Sequence, residues 1–364
     1  MVGAGVIGLA VAREAQTRGL RPLVLERDGI AAGASGVQPG GVRQQWGTSI
    51  ACSLARESIE FWRDVEHRLD SRVALRFESC GYMFVAHSSA TYERLAANVG
   101  VQNEAGVPSR LVSDEEAAAI VPGLATSEIV GAAWCEEDGY FDRPQAVVEA
   151  FAQGVPVRKA RVESIHPDGD GWRIATDDGV LKTDVVVVAA GMATAALVHS
   201  LGVRLPLVPE DRFLFLSAPI EERLLDPLVV APELSFAAKQ LADGRVLASD
   251  LAARGDPAEG RPRWQATIRR GVRRLLPRLE FVAFSLLVPG VYDMTPDHQP
   301  VLGPVGDREG LHVACGFSGH GFMIAPAVAR IVVDAVLGDR DTVLDVLDAN
   351  RFDEHRLVAE PQLI

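Results

Sequence analysis

The sequence predicts an α/β fold: a doubly wound sheet interleaved with a second, mixed-sheet α+β domain. Three observations predict it. Near the start, Gly3-x-Gly5-x-x-Gly8 opens a helical pattern that leads into an apolar stretch ending at Glu26. At 185–190 an unbroken, largely β-branched run has the composition of a strand buried on both faces. The last seventy or so residues repeat the order strand, glycine turn, helix. At 364 residues the chain exceeds the roughly 250–300 at which a single core stops growing.

The elements follow in order. A tight glycine turn precedes a helix over Val6–Arg18, stopped by Gly19, and a buried strand Pro22–Glu26. A polar, glycine-rich stretch, 33–47, is too long to be punctuation. A helix over Thr48–Leu69 turns Leu54, Ile59, Phe61 and Val65 inward. From Val73 to Tyr140 the pattern changes to short strands and one helix, announced by the capping box Ser113/Glu116. A helix at Pro144–Gln153 follows. Strands at Ala160–Ile165, Trp172–Thr176, Val180–Lys182 and Val185–Ala190 come next, with turns at Pro167–Gly171 and Asp177–Gly179. Residues 205–289 alternate short strands with an arginine-rich helix, and the close is a strand Leu311–Cys315 and a helix Phe322–Leu337. The domains therefore interleave: 1–72, 142–204 and 296–364 form the doubly wound one, 73–141 and 205–295 the other.

Composition narrows the function. A net charge of −13 argues against nucleic acid, whose binding draws on Lys and Arg, and for a small-molecule substrate. Cys52, Cys80, Cys135 and Cys315 contain no C-x-x-C pair, so they read as buried free thiols of a cytoplasmic protein, with no metal site. The longest uncharged run, Val185–Val198, is short of the ~20 residues of a membrane span. Arg261, Arg263, Arg269, Arg270, Arg273, Arg274 and Arg278 flank an apolar stripe of Ile268, Val272, Leu275 and Leu276; the cluster reads as a solvated helix face or as a docking surface for an acidic partner subunit.

The first motif carries the chemistry. Its glycines permit a tight turn, close backbone approach to a pyrophosphate, and packing of helix on strand, while Glu26 is placed to accept hydrogen bonds from ribose hydroxyls. Two more glycine turns, at Ala190-Gly191 and at Gly316–Phe322, accompany it, and there is no second fingerprint. One dinucleotide must then be the redox centre itself, which selects FAD over NAD and makes the first domain a Rossmann-like FAD-binding domain and the second the substrate domain.

GAGVIGLA, GASGVQPGGVRQQWG, VYDMTPDHQPVLGP and GFSGHGFMIAPAVARIVVDAVLG, in this order, resemble the D-amino-acid oxidase superfamily, within it the sarcosine oxidase β-subunit and dimethylglycine dehydrogenase branch. The resemblance implies oxidation of the C–N bond of a small amino acid or N-methylated amino acid by hydride transfer to flavin. It implies cofactor contacts at Gly3, Gly5, Val6, Gly8, Glu26, Arg27, Ser35, Gly40, Gly41, Val162, Ala190, Gly191, Gly316, Ser318, Gly319, His320, Gly321, Phe322 and Met323. Arg43 is implied to grip the substrate carboxylate, with a structural salt bridge as the alternative, and Tyr292 to border the same pocket, with a plain core tyrosine as the alternative. Two further roles remain open: the flavin-bearing subunit of a larger dehydrogenase, and a non-catalytic FAD-binding assembly factor.

Three departures modify the expectation. Gly290 stands where monomeric sarcosine oxidases carry a flavin-linking cysteine, so the FAD is non-covalent. Met323 replaces their second carboxylate anchor, a lysine. Only Met1 and Val2 precede Gly3, which reads as a truncated or misassigned start that leaves a gap in the sheet. The acceptor is oxygen or a redox partner. A dehydrogenase is favoured, because Lys159 and Lys182 fall at exposed positions, Lys239 lies on a substrate-domain strand, and the oxygen-activating position falls near Arg254.

Overall fold

The computed structural model describes residues 1–306 and 308–361; Asp307 and the last three residues of the segment 296–364 lie outside the described residues. Met1–Gly3 leads into helix α1 (Val6–Thr17) and strand β1 (Val24–Glu26), and helix α2 (Ser49–Arg63) follows the glycine-rich stretch. Next come β2 (Tyr82–Ala86), β3 (Arg110–Val112) and β4 (Gly131–Cys135), then α3 (Pro144–Ala152), β5 (Val157–Lys159) and β6 (Val186–Val188). Strands β7 (Val208–Ser217), β8 (Leu228–Ala231), β9 (Phe236–Gln240) and β10 (Val246–Asp250) precede helix α4 (Pro257–Leu275). Strands β11 (Phe284–Met294), β12 (Val301–Pro304) and β13 (Leu311–Cys315) lead to α5 (Gly321–Val336).

The doubly wound sheet is built from chain-distant pieces. Strand β1 pairs in parallel with β5, and β6 in parallel with β13, which β12 flanks antiparallel. Val2 joins the halves by parallel bridges to Leu25 and Val188. The amides of Val2, Gly3, Leu25 and Ala189 donate to Val187, Leu25, Met1 and Val2 at 2.8–2.9 Å. The expected gap with unpaired backbone on both neighbours is therefore corrected: Met1, Val2 and Gly3 together bond to both neighbouring strands. Helices α1, α2 and α5 pack over one face.

The second sheet has eight strands in the order β11-β7-β10-β9-β8-β2-β4-β3, antiparallel except where β8 meets β2. It is the mixed sheet the sequence predicts, although β7 and β11 run ten and eleven residues, longer than the short strands expected. Their ladder joins Val208–Ser217 to Phe284–Met294 and carries one wall of the site. Helix α4 covers the back of this sheet with Trp264, Ile268, Val272 and Leu275. Arginines of the cluster meet acids of the same chain: in α4 Arg273 pairs with Glu280 and Arg274 with Glu128, and just beyond it Arg278 pairs with Glu222.

Smaller differences have local causes. The helix expected over Thr48–Leu69 stops at Arg63 and resumes as Val65–Arg68, with Asp64 out of helical geometry between them. Phe61 is half-buried and stacks on Phe151, while the adjacent Trp62 is fully buried. The strand expected at Ala160–Ile165 spans Val162–Asp168, so Pro167 lies inside it, at a position of an outer sheet where no amide is required. The capping box is half formed: Ser113 Oγ accepts from the Glu116 amide, but the Glu116 carboxylate pairs with Arg110. All four cysteines are free, and Cys80 is half-buried. Among the described residues no helix is long and apolar enough to cross a membrane, and no cluster could hold a metal.

Candidate active site

The glycine turn and the β7/β11 wall face each other across one cavity of about 770 Å³. Backbone builds its first side. Gly3 has φ +103°, and a Cβ there would lie 2.4 Å from the Ala189 carbonyl oxygen, so only glycine lets the chain cross β6 into α1. A Cβ on Gly8 would lie 2.0 Å from the Gly3 oxygen: Gly8 packs the helix onto the turn and does not line the cavity. Glu26 accepts from the amides of Ala4 and Asp28 at 2.8 Å, and Ser35 Oγ accepts from the Val6 amide at 2.9 Å. Gly5, Val6, Glu26, Arg27, Ser35, Val162, Ala190 and Gly191 all line this side.

The second glycine turn closes the cavity from α5. Ser318, Gly319, His320, Gly321, Phe322 and Met323 are on the wall. Gly316 is not; its amide donates to Asp293 Oδ2 at 2.8 Å and its φ of +70° turns the chain. Gly40 is likewise behind the wall, with φ +77° and the Phe141 carbonyl oxygen 2.3 Å from where a Cβ would stand, whereas Gly41 is on it. Gly8, Gly40 and Gly316 lie behind the cavity lining: Gly8 and Gly40 are held against backbone carbonyls, and Gly316 against the Thr295 and Leu207 side chains. His320 is buried, its ring centroid 4.0 Å from that of Trp46, and burial beside Arg43, His298 and Arg212 holds its pKa well below the ordinary value. It is a neutral imidazole.

Side chains build the opposite end. Arg43 is 1% exposed, with its guanidinium 3.5 Å from the Trp46 ring centroid and Nη1 donating to Gln45 O at 2.7 Å. Asp138 fixes this segment: its carboxylate accepts from the Gln44 amide at 2.9 Å and from Gln45 Nε2 at 3.1 Å. Burial nevertheless pushes the Asp138 carboxyl up to about 6. Glu360 accepts from the amides of Gly47 and Thr48 at the head of α2. Tyr292 lines the cavity from β11, and burial raises its pKa.

Two wall residues carry no sequence signal. Tyr82 lies inside an apolar strand run, and Arg212 in an acid-flanked stretch of β7 that reads as solvated surface. Arg212 lies 4.7 Å from the Tyr292 ring centroid and is directly opposite Gly290 in the ladder. Of the lysines, Lys159 and Lys182 are exposed, while Lys239 is fully buried behind the wall, donating to Pro39 O at 2.6 Å, with its pKa pushed down to about 7 by burial. Arg254 binds Glu210 at 2.5 Å and is not on the wall.

The cavity fits a dinucleotide by its construction: a backbone cradle that side chains would fill at Gly3, an acid held at the end of β1, and two helices starting at its rim. A family model described as FAD dependent oxidoreductase matches residues 1–335. The chain is 25% identical over 378 residues to 4-methylaminobutanoate oxidase (formaldehyde-forming) of Paenarthrobacter nicotinovorans, covering 98% of this chain and 46% of that protein, so it spans about half of that relative. It is 29% identical over 357 residues to glycine oxidase of Pseudomonas aeruginosa, covering 95% and 96%. Among solved structures, L-proline dehydrogenase from P. horikoshii has a TM-score of 0.91 at 25% identity, with 98% of each chain covered.

Proposed function

The chain belongs to the FAD dependent oxidoreductase family and takes FAD as its cofactor; on that premise we propose that it oxidises the C–N bond of a small amino acid or N-methylated amino acid. The reading rests on one observation: a single cavity joins a backbone cradle to a wall bearing a buried arginine, Arg43, and two tyrosines, Tyr82 and Tyr292.

Bound FAD supplies a two-electron acceptor for hydride. The chain does the rest. Arg43 holds the substrate carboxylate through its planar fork, and Trp46 keeps the guanidinium flat by stacking. Tyr292 and Tyr82 close the pocket around the amine, and the apolar surroundings favour its neutral form. The carbon next to nitrogen loses hydride, and water then adds to the resulting imine to release a carbonyl product and an amine. Gly3, Gly5, Val6, Glu26, Arg27 and Ser35, with Val162, Ala190 and Gly191 beside them, would hold the nucleotide portion of FAD, and Ser318, Gly319, His320, Gly321, Phe322 and Met323 would meet its flavin. The segments 1–72, 142–204 and 296–364 form the FAD-binding domain, and 73–141 with 205–295 the substrate domain. With Gly290 on the wall, no thiol stands ready for a covalent link. The free cysteines support a cytoplasmic location.

Dehydrogenase chemistry is favoured over oxidase chemistry, because among the described residues no lysine lines the cavity and Arg254 is neutralised by Glu210. An anaerobic screen of amino acids and N-methyl amines for bleaching of the flavin spectrum tests the reaction, and acid precipitation should release the flavin. A flavin-loaded protein that no such amine bleaches overturns the reading. Mixing the reduced protein with aerated buffer tests the acceptor: reoxidation as fast as reduction means an oxidase.

A further inference from the structure

Beyond the carboxylate grip of Arg43, we propose that Arg212 is a second anion-binding residue and that the substrate is an amine bearing two carboxylates, such as an amino dicarboxylic acid or its N-methyl derivative. The substrate class rests on the amine-oxidation reading above; the anion site does not.

Arg212 and Leu214, two residues apart on one face of β7, both line the cavity. The ladder partner of Arg212 on β11 is Gly290, which sets no side chain of its own beside Arg212; Val37 Cγ2 lies 3.2 Å from where a Cβ would stand. The Arg212 side chain is 14% exposed, and its Nε is buried with no hydrogen-bond partner. A guanidinium whose Nε–H and terminal N–H point the same way offers a carboxylate two parallel hydrogen bonds, so an unused Nε–H is half of an unfilled fork.

Charge leads to the same place. Behind the wall Glu210 is shared by Arg212 and Arg254, two cations on one anion, so the cluster carries one positive charge in excess. Asp293 also lines the cavity, and its Oδ2 accepts from the Gly316 amide at 2.8 Å. A partly desolvated cation in this setting is costly unless a ligand anion completes it.

Arg212 and Arg43 belong to different segments and lie over different rings, Arg212 4.7 Å from the Tyr292 centroid and Arg43 3.5 Å from the Trp46 centroid, with His320 packed beside Trp46 and Gly319 against Tyr292. Burial of His320 next to both guanidiniums keeps it uncharged, so it does not displace the anions. Two cations from different elements facing one cavity match two carboxylates of one ligand. Met323, where the resemblance implies a lysine anchor, leaves β7 to supply the second cation.

The test uses flavin-loaded protein and two probes that differ by one terminal carboxylate, glutarate and butyrate, titrated while the flavin absorption is followed. Glutarate should bind roughly 10–100-fold more tightly, the worth of one charge-assisted pair. Arg212→Met should abolish that preference and leave butyrate affinity unchanged, and Arg212→Lys should restore part of it. Glu210 keeps Arg254 in the Arg212→Met protein, and an unchanged flavin spectrum before titration verifies that the wall is intact. Equal affinity for the two probes, or equal losses for both on Arg212→Met, overturns the proposal. Bleaching by N-methylglutamate against N-methylglycine reads the substrate class separately. Preference for glutarate without bleaching by any amine would retain the anion site and sink the amine reading; bleaching without the preference would do the reverse.

Discussion

The two ends of the cavity are made of different materials. At the nucleotide end the shape is set by backbone: Gly3 crosses the Ala189 carbonyl where no Cβ fits, and Gly8 lies against Gly3. At the far end it is set by side chains, Arg43 on Trp46 and Arg212 on Tyr292, carried by elements far apart in sequence. A backbone cradle recognises what many ligands share, a pyrophosphate and its ribose. A wall of side chains recognises what distinguishes one substrate from another. Substitutions at the first end should therefore remove the cofactor and the fold together, and substitutions at the second should alter binding while sparing both.

The largest effect is expected at the cradle. Gly3→Ala places a Cβ 2.4 Å from a sheet carbonyl at φ +103°, and it should cost on the order of 3–4 kcal/mol and leave the protein colourless. Flavin content per chain and the thermal unfolding midpoint read both losses; a yellow protein of normal stability would break the contrast between the two ends.

Arg43→Ala should weaken substrate binding by about 2–4 kcal/mol with a nearly unchanged flavin spectrum, because it removes a buried charge-assisted pair. An equal loss with a substrate lacking a carboxylate would assign Arg43 to wall structure.

Lys239 lies at the seam, on substrate-sheet strand β9 with its ammonium on Pro39 of the glycine-rich loop. Its pKa falls from 10.5 to about 7 on folding. Between those values the unfolded chain binds a proton the native state has lost, so stability should rise with pH from about 7 towards 10.5 and the burial penalty should be full below 7. In denaturant titrations across that window, Lys239→Met should remove most of the rise. An unaltered slope would mean that the ammonium is solvated.

The smallest effect is expected away from the cavity. Ser113→Ala removes the side-chain cap of the helix Asp114–Ile120 and should cost about 1 kcal/mol with kcat/KM unchanged. Any change in substrate affinity would show that the substrate sheet transmits strain to its wall.

The sequence by itself determined the cradle, because its requirements are local. A glycine that must admit a carbonyl, a helix that must start three residues later and an acid at the next strand end leave marks at fixed spacing, and β-branched runs mark the strands buried on both faces. The same locality explains why Gly8, Gly40 and Gly316 were legible as needed but not as packing residues behind the wall. Tertiary structure alone decided the other end. Arg212 joins the site only because β7 pairs with β11 in the register that sets it opposite Gly290, and Tyr82 only because β2 abuts β8. It likewise decided that Val2 closes the sheet and that Glu360 returns across the chain to hold the head of α2. Strand register is a property of two segments at once, so a charged residue between acids reads as solvated surface until its partner strand is known.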